Sequence, residues 1–252
     1  MTIEIERVDD LARLANGNAA GWWAELAAVR GNAMIGKPGY FWVPGSLRAG
    51  LRIMILRPDL EPGEIAEIRD LARSWPAGSR VTVEDPHSVI DLRELGFEGQ
   101  QLPVMVREPG PVTGTPRITV SRVTSTEEAA TVEDVVVHGF PLRQFHPYRA
   151  GEAIPPALAQ RPGVTFYLAR RDGEPAGACM TFADGAATGI YWVGTLPEHG
   201  SHGIGRAVML AALDDIGDVP ATLTATAAGR PLYESLGFRS VATATWWWSA
   251  LA

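Results

Sequence analysis

The stretch that decides the fold is TGIYWVGTLPEHGSHGIGR, residues 188–206. Ile190, Tyr191, Trp192 and Val193 form an uncharged run of β-branched and aromatic residues, which reads as a buried strand that Pro197 ends. Gly200, Gly203 and Gly205 follow as G-x-x-G-x-G, and residues 207–213, AVMLAAL, are strong helix formers, apolar all round. The segment is therefore a strand, a tight turn and a buried helix. Glycine lets the backbone take positive φ and approach closely, so several amide N–H groups can converge at the positive end of the helix. Such a concavity suits a phosphate, and a glycine-rich turn without a ligand is the alternative.

Two nucleotide-binding patterns are excluded. A dinucleotide fingerprint has the order G-x-G-x-x-G and an acidic residue roughly 20 residues further on. Here the order is reversed, and Asp214 and Asp215 fall near the end of a helix that Gly217 closes. A phosphate-binding loop of the Walker type needs Lys-Ser or Lys-Thr after its last glycine, and neither is present.

Residues 193–205, VGTLPEHGSHGIG, resemble the signature of the GCN5-related N-acetyltransferase (GNAT) superfamily, Q/R-x-x-G-x-G/A after a strand of the form V-A-V-x-P. Gly200 stands where that family has Gln or Arg, which leaves His199, His202 or Arg206 to supply positive charge. Residues 231–238, PLYESLGF, are similar to the family's last helix, L-Y-x-x-x-G-F, whose tyrosine lies near the sulfur of coenzyme A. On its own, Tyr233 reads as an aromatic packed at a helix start.

The resemblance implies an α/β fold with a mixed sheet, the GNAT fold, in the C-terminal half. It implies direct transfer of an acetyl group from acetyl-CoA, as co-substrate, to an amine of a small molecule or protein. Backbone groups of Val193, Gly194 and Thr195 would run along the pantetheine arm, and an N–H near Val193 would face the oxyanion. The amides of Ser201, His202, Gly203, Ile204, Gly205 and Arg206 would take the pyrophosphate, with Arg230 and Arg239 within reach of the phosphates. Tyr233 is the implied general acid. Histone-modifying relatives keep a glutamate on the central strand where this chain has Gly189, so the base is sought elsewhere, at Glu198 or His146. The competing reading is a non-catalytic acetyl-CoA-binding regulatory or interaction module, motivated by Gly200 and Gly189. Retention of the Tyr233 hydroxyl argues for catalysis.

Composition bounds the rest. A chain of 252 residues, 46% hydrophobic and 20% charged, is that of an ordinary globular protein and long enough for two domains. The net charge of −7, with no dense basic window, argues against nucleic acid. No run reaches the ~18 apolar residues of a membrane span. The single Cys179, in AGACMTF, reads as a buried strand thiol, and with no apolar leader the expected compartment is the cytoplasm. His199 and His202 lack a third ligand, so no metal site is expected.

Residues 108–116, EPGPVTGTP, hold three prolines and two glycines and read as a linker between 1–110 and 117–252. Before it lie one or two helices over 8–29 capped at Asp9 or Asp10, strands at 39–43 and 52–56, a helix through Ile65, Ile68 and Leu71, a strand from Arg80, and a short helix over 89–95. After it, RITVSRV reads as a strand, Ser125 to Glu128 as a capping box, residues 140–156 as the loop where the family admits its acceptor, and Asp172-Gly173 as a hairpin turn. The halves echo each other: Gly96 of LRELGF parallels Gly237 at an offset of 141, and Pro58 parallels Pro197 at 139. The first half lacks the glycine-rich turn and has Leu92 in place of Tyr233. It reads as a degenerate GNAT-like domain, or as an unrelated α+β domain. Tryptophans 246–248 alternate across a last strand, fit for edge packing, for contact between the halves or for a homodimer.

Overall fold

The computed structural model describes residues 2–76, 78–115, 117–140 and 142–250, the side chains of 2–8 aside. Pro116, which closes the expected linker, lies outside the described residues.

Eleven strands form one mixed sheet in the order β1-β2-β3-β4-β11-β5-β10-β9-β8-β7-β6. From the N-terminus these are β1 (Ile35–Gly36), β2 (Tyr40–Pro44), β3 (Leu51–Ile55), β4 (Val81–Asp85) and β5 (Phe97–Arg107). The second half adds β6 (Thr119–Arg122), β7 (Val164–Arg171), β8 (Glu174–Ala183), β9 (Thr188–Thr195), β10 (Ala221–Thr224) and β11 (Arg239–Ser249). Neighbouring strands are antiparallel except β3 with β4 and β9 with β10. Each of those parallel pairs is joined by a helix, α2 (Pro62–Ser74) and α4 (Ile204–Asp215), as parallel strands require.

The sheet is not divided at the linker. β5, from the first half, lies between β10 and β11, and β11, from the second, lies between β4 and β5. The last strand of each half therefore sits against strands of the other half, β5 on β10 and β11 on β4. Gly96 (φ 78) and Gly237 (φ 87), the residues at offset 141, both turn the chain into the exchanged strand through the left-handed conformation. β11 is therefore central: Trp247 packs with the α2 side of the core and Trp246 with the opposite side, so edge packing of the tryptophan run is corrected to packing between halves.

Period-2 alternation sorts the core onto two faces. Phe166, Leu168, Ala178 and Met180 meet α1 (Thr2–Val29) and α3 (Thr126–Gly139), whereas Tyr167, Ala169 and Cys179 meet α4. The first helix is a single element that already includes Asp9 and Asp10, which corrects the expected cap. Gly21 stays in it for a packing reason, since a Cβ there would lie 2.7 Å from the Phe182 ring. Ser125 caps α3 as expected, its hydroxyl accepting from Glu128 N at 3.1 Å. The short helix expected at 89–95 is only a single turn, Arg93–Leu95. Asp172 (φ 54) and Gly173 (φ 88) form the β7–β8 hairpin turn.

Candidate active site

β9 and β10 pair at only two positions, Ala221 with Thr188 and Thr222 with Gly189. Beyond Gly189 they part, because β10 follows β5 over four pairs, from Ala221 with Arg107 to Thr224 with Val104. The backbone of β9 on that side is left without a strand partner. In β3 and β4 the equivalent pair runs in register over four positions, so the first half has no such opening.

A bulge bends β9 at the opening. Ala178 pairs with Gly194 and Met180 with Tyr191, so Trp192 and Val193 together face Cys179. Trp192 takes φ 55, a left-handed conformation that costs a bulky residue about 1–3 kcal/mol. Both Tyr191 and Trp192 consequently pack on the α1–α3 face, and Val193 on the α4 face. Leu196 N donates to Ala176 O at 3.0 Å, which sets the alternation: Gly194 turns its backbone groups toward β8, and Val193 and Thr195 turn theirs into the gap.

At the wide end of the gap the turn 196–203 leads into α4. Pro197–His199 form one tight turn, Ser201 (φ 62) and Gly203 (φ 78) are left-handed, and no side chain caps the helix at Gly203. The first amides of α4 point outward with the positive end of the helix dipole. Ala207 N, the first amide bonded inside, donates to Gly203 O at 3.0 Å. A Cβ on Gly205 would sit in ordinary contact with Leu232 of the next helix, 3.4 Å away.

The start of α2, the other helix that joins a parallel pair, is filled. The Glu64 carboxylate there accepts from Glu61 N (2.9 Å), Gly39 N (2.9 Å) and Arg57 Nη2 (2.7 Å). A side chain thus occupies the anion position that α4 leaves open.

The sequence-predicted residues divide by position. Ser201, His202 and Gly203 are exposed at the mouth, with Ile204 buried beneath them. His202 Nδ1 lies 2.7 Å from Gly200 O, and Arg206 Nη1 donates to Ser235 Oγ at 2.9 Å, joining α4 to α5 (Arg230–Ser235). Arg230 pairs with Glu234 (2.7 Å) and Arg239 with Glu108 (3.2 Å), so both are engaged within the chain. Glu198 is exposed on the turn at the wide end of the gap, and His146 stands edge-on to His138 at 5.0 Å. Neither is placed at the narrow end. Among the described residues no cluster of potential metal ligands occurs.

Tyr233 lies on α5, whose Leu232 and Ser235 touch the first turn of α4. Its ring packs so tightly on Gly229 that a Cβ there would sit 2.8 Å away, and its hydroxyl has no hydrogen-bond partner among the described residues. Burial, with a smaller contribution from Cys179, pushes its pKa up to about 12. Cys179 itself is fully buried, its thiol pushed far up by desolvation, as befits a structural strand thiol.

Local reading missed the residues that close the narrow end from α1. Asn18 is fully buried; its Nδ2 donates to Asp184 Oδ2 (2.8 Å) and Phe182 O (3.0 Å), and its Oδ1 accepts from the Tyr191 hydroxyl (2.6 Å). Trp22 stacks on Tyr191 with ring centres 4.5 Å apart. Two asparagines, Asn16 and Asn18, in the otherwise apolar run LANGNAAGWW are the only sequence signal of this role. Gly189 lies directly beneath: a Cβ on it would fall 2.0 Å from Asn18 Oδ1.

Residues 162–240 match the family model for the acetyltransferase (GNAT) domain. No curated protein sequence matches the chain. Among solved structures, a GCN5-related N-acetyltransferase from Kribbella flavida is 20% identical, with 93% of this chain and 95% of that one covered at a TM-score of 0.63. A functionally unknown conserved protein from Staphylococcus epidermidis is 14% identical (88% and 96% covered, TM-score 0.56). A GCN5-related N-acetyltransferase from Sphaerobacter thermophilus is 17% identical (84% and 76% covered, TM-score 0.54). The likeness of fold therefore spans both halves of the sheet.

Proposed function

We propose that this chain, whose residues 162–240 match the acetyltransferase (GNAT) domain model, moves an acetyl group from acetyl-CoA to a primary amine by direct transfer. The observation that carries this reading is the parting of β9 from β10 beside an uncapped helix end, in the second half alone. An extended amide-bearing arm can add to the open β9 edge as a strand would, and a diphosphate can take the amides of residues 201–206. The residues present fit such a co-substrate, because the outward edge of β9 beyond Gly189 is unpaired and no side chain caps the start of α4.

When bound, acetyl-CoA supplies the thioester carbonyl that the amine attacks. The backbone of Val193 and Thr195 orients the arm, and an N–H at the bulge stabilises the negative charge developing on the carbonyl oxygen. Tyr233 faces the sulfur as hydrogen-bond donor. With its pKa near 12 and a thiol near 8.5, full proton transfer costs about 5 kcal/mol, so its role is to stabilise the leaving thiolate by a hydrogen bond. The amine must arrive neutral, which for a pKa of about 10.4 costs about 4.6 kcal/mol at pH 7. Glu198 stands on the turn at the opposite, wide end of the gap, so that proton passes to solvent.

Calorimetric titration with acetyl-CoA, followed by thiol release over a set of amines, tests the reading. We expect micromolar or tighter binding, and Tyr233→Phe to lower kcat about 10–100-fold with acetyl-CoA affinity unchanged. A parent protein that does not bind acetyl-CoA would sink the proposal, and an unaltered kcat in Tyr233→Phe removes the tyrosine from it.

A further inference from the structure

Asn18, on α1 of the first half, spends both polar atoms of its buried side chain on the β8–β9 hairpin of the second. Its Nδ2 donates to Asp184 Oδ2 (2.8 Å), Phe182 O (3.0 Å) and Ala187 O (3.3 Å). All three can only accept, so the amide has one orientation, and its Oδ1 is left to accept from the Tyr191 hydroxyl at 2.6 Å. The Asp184 carboxylate is itself fixed, its Oδ1 accepting from Ala186 N (2.8 Å) and Ala187 N (2.9 Å). Tyr191 is thus tied to the turn of its own hairpin through a side chain from the other half.

Tyr191 immediately precedes the strained residue of β9. Trp192, at φ 55, holds a conformation that persists only where its surroundings over-determine it. On one side the Tyr191 ring stacks on Trp22 of α1, 4.5 Å between centres and 5° from parallel. On the other the Trp192 ring meets Phe140, just past the end of α3, edge-on at 5.7 Å. The Asn18 bond is the directional restraint among these. A stacked ring can slide in its own plane, whereas a hydrogen bond fixes where the hydroxyl ends.

We propose that Asn18 is a positioning residue for acyl transfer: acting through the Tyr191 hydroxyl, it sets the bulge at Trp192 and Val193 and with it the N–H that faces the thioester carbonyl. This rests on the acyl-transfer reading above, and it gives the first half, which has no opening of its own, a task in the reaction. An N–H aimed at a developing oxyanion acts only within a narrow range of distance and angle, so a small shift of the bulge costs rate. The amides at the start of α4 lie beyond the turn at Pro197–His199, so binding of the diphosphate is unaffected.

The test uses the full chain and acetyl-CoA labelled with carbon-13 at the thioester carbonyl. In the parent the carbonyl resonance should move downfield on binding, the signature of an N–H donating to its oxygen. Asn18→Ala should return it toward the free position while calorimetric affinity for acetyl-CoA stays within about twofold, and turnover with the best amine of the set above should fall about 10–100-fold. Tyr191→Phe removes only the hydroxyl and keeps the ring on Trp22; it should do the same, and serves if the alanine variant does not fold. The double variant should be no worse than the worse single one, because both substitutions break one link. A parent-like carbonyl resonance and turnover in either folded variant, with only the denaturation midpoint lowered, would make Asn18 a structural tie and overturn the assignment alone. Additive losses in the double variant would overturn its action through Tyr191, and an unshifted carbonyl in the bound parent would remove the N–H on which it acts. Failure of the parent to bind acetyl-CoA overturns both readings.

Discussion

Gly189 shows how one residue settles what chemistry the site lacks. Gly189, on β9 beside the fork, is roofed by Asn18 and the Tyr191 hydroxyl, at 2.0 and 2.4 Å from a Cβ built on it. No side chain fits, so packing of α1 keeps any carboxylate off this position. Gly189→Ala should cost about 1–3 kcal/mol through overpacking, read as a lower midpoint in chemical denaturation. A midpoint equal to the parent's would mean that α1 yields without cost. Trp192 is the complementary case: its left-handed φ and the bulge it shares with Val193 put two consecutive side chains on one face, which no alternating pattern announces.

At the scale of elements, α2 and α4 each join a parallel strand pair but differ at their first turns. Both begin beside the end of a strand in a parallel pair, yet Glu64 fills the first and glycine leaves the second open. The carboxylate satisfies two backbone donors and a guanidinium at once, so Glu64→Ala should destabilise the fold by about 1–2 kcal/mol. It should not create a second binding site for acetyl-CoA, because β3 and β4 stay paired over four positions and offer no open edge. Calorimetry on the variant checks this: a stoichiometry of two would contradict it.

For the whole molecule, exchange of β5 and β11 makes each half complete only in the presence of the other. Residues 1–110 and 117–252 produced separately should be insoluble or lack cooperative unfolding, and should recover a folded signal by circular dichroism when co-expressed. Independent cooperative folding of either piece would refute this. A second global property concerns the five tyrosines, all raised above their ordinary values with burial as the first cause. The folded state holds those protons more tightly than the unfolded chain, so the stability they contribute is present below about pH 10 and is lost as pH rises beyond it. Tyrosinate absorbance should therefore stay flat through pH 10 and rise in one step together with loss of circular dichroism. A reversible step near pH 10 with the fold intact would show that one of them is open to solvent.

Local sequence determined much of this protein. The strand, glycine turn and helix at 188–213, the Ser125 cap, the Asp172-Gly173 hairpin and the matched glycines 96 and 237 are all written in short-range chemistry: φ preferences, capping hydroxyls and apolar periodicity act over a few residues. Only the tertiary structure decided that the strands are exchanged, that β9 and β10 part after two pairs while β3 and β4 do not, and that α1 lies across the fork with Asn18 over Gly189. Those outcomes turn on which distant backbone edges find each other, and contacts such as Asn18 with Asp184 or Trp23 with Glu84 join residues far apart in the chain, where no local pattern carries the information.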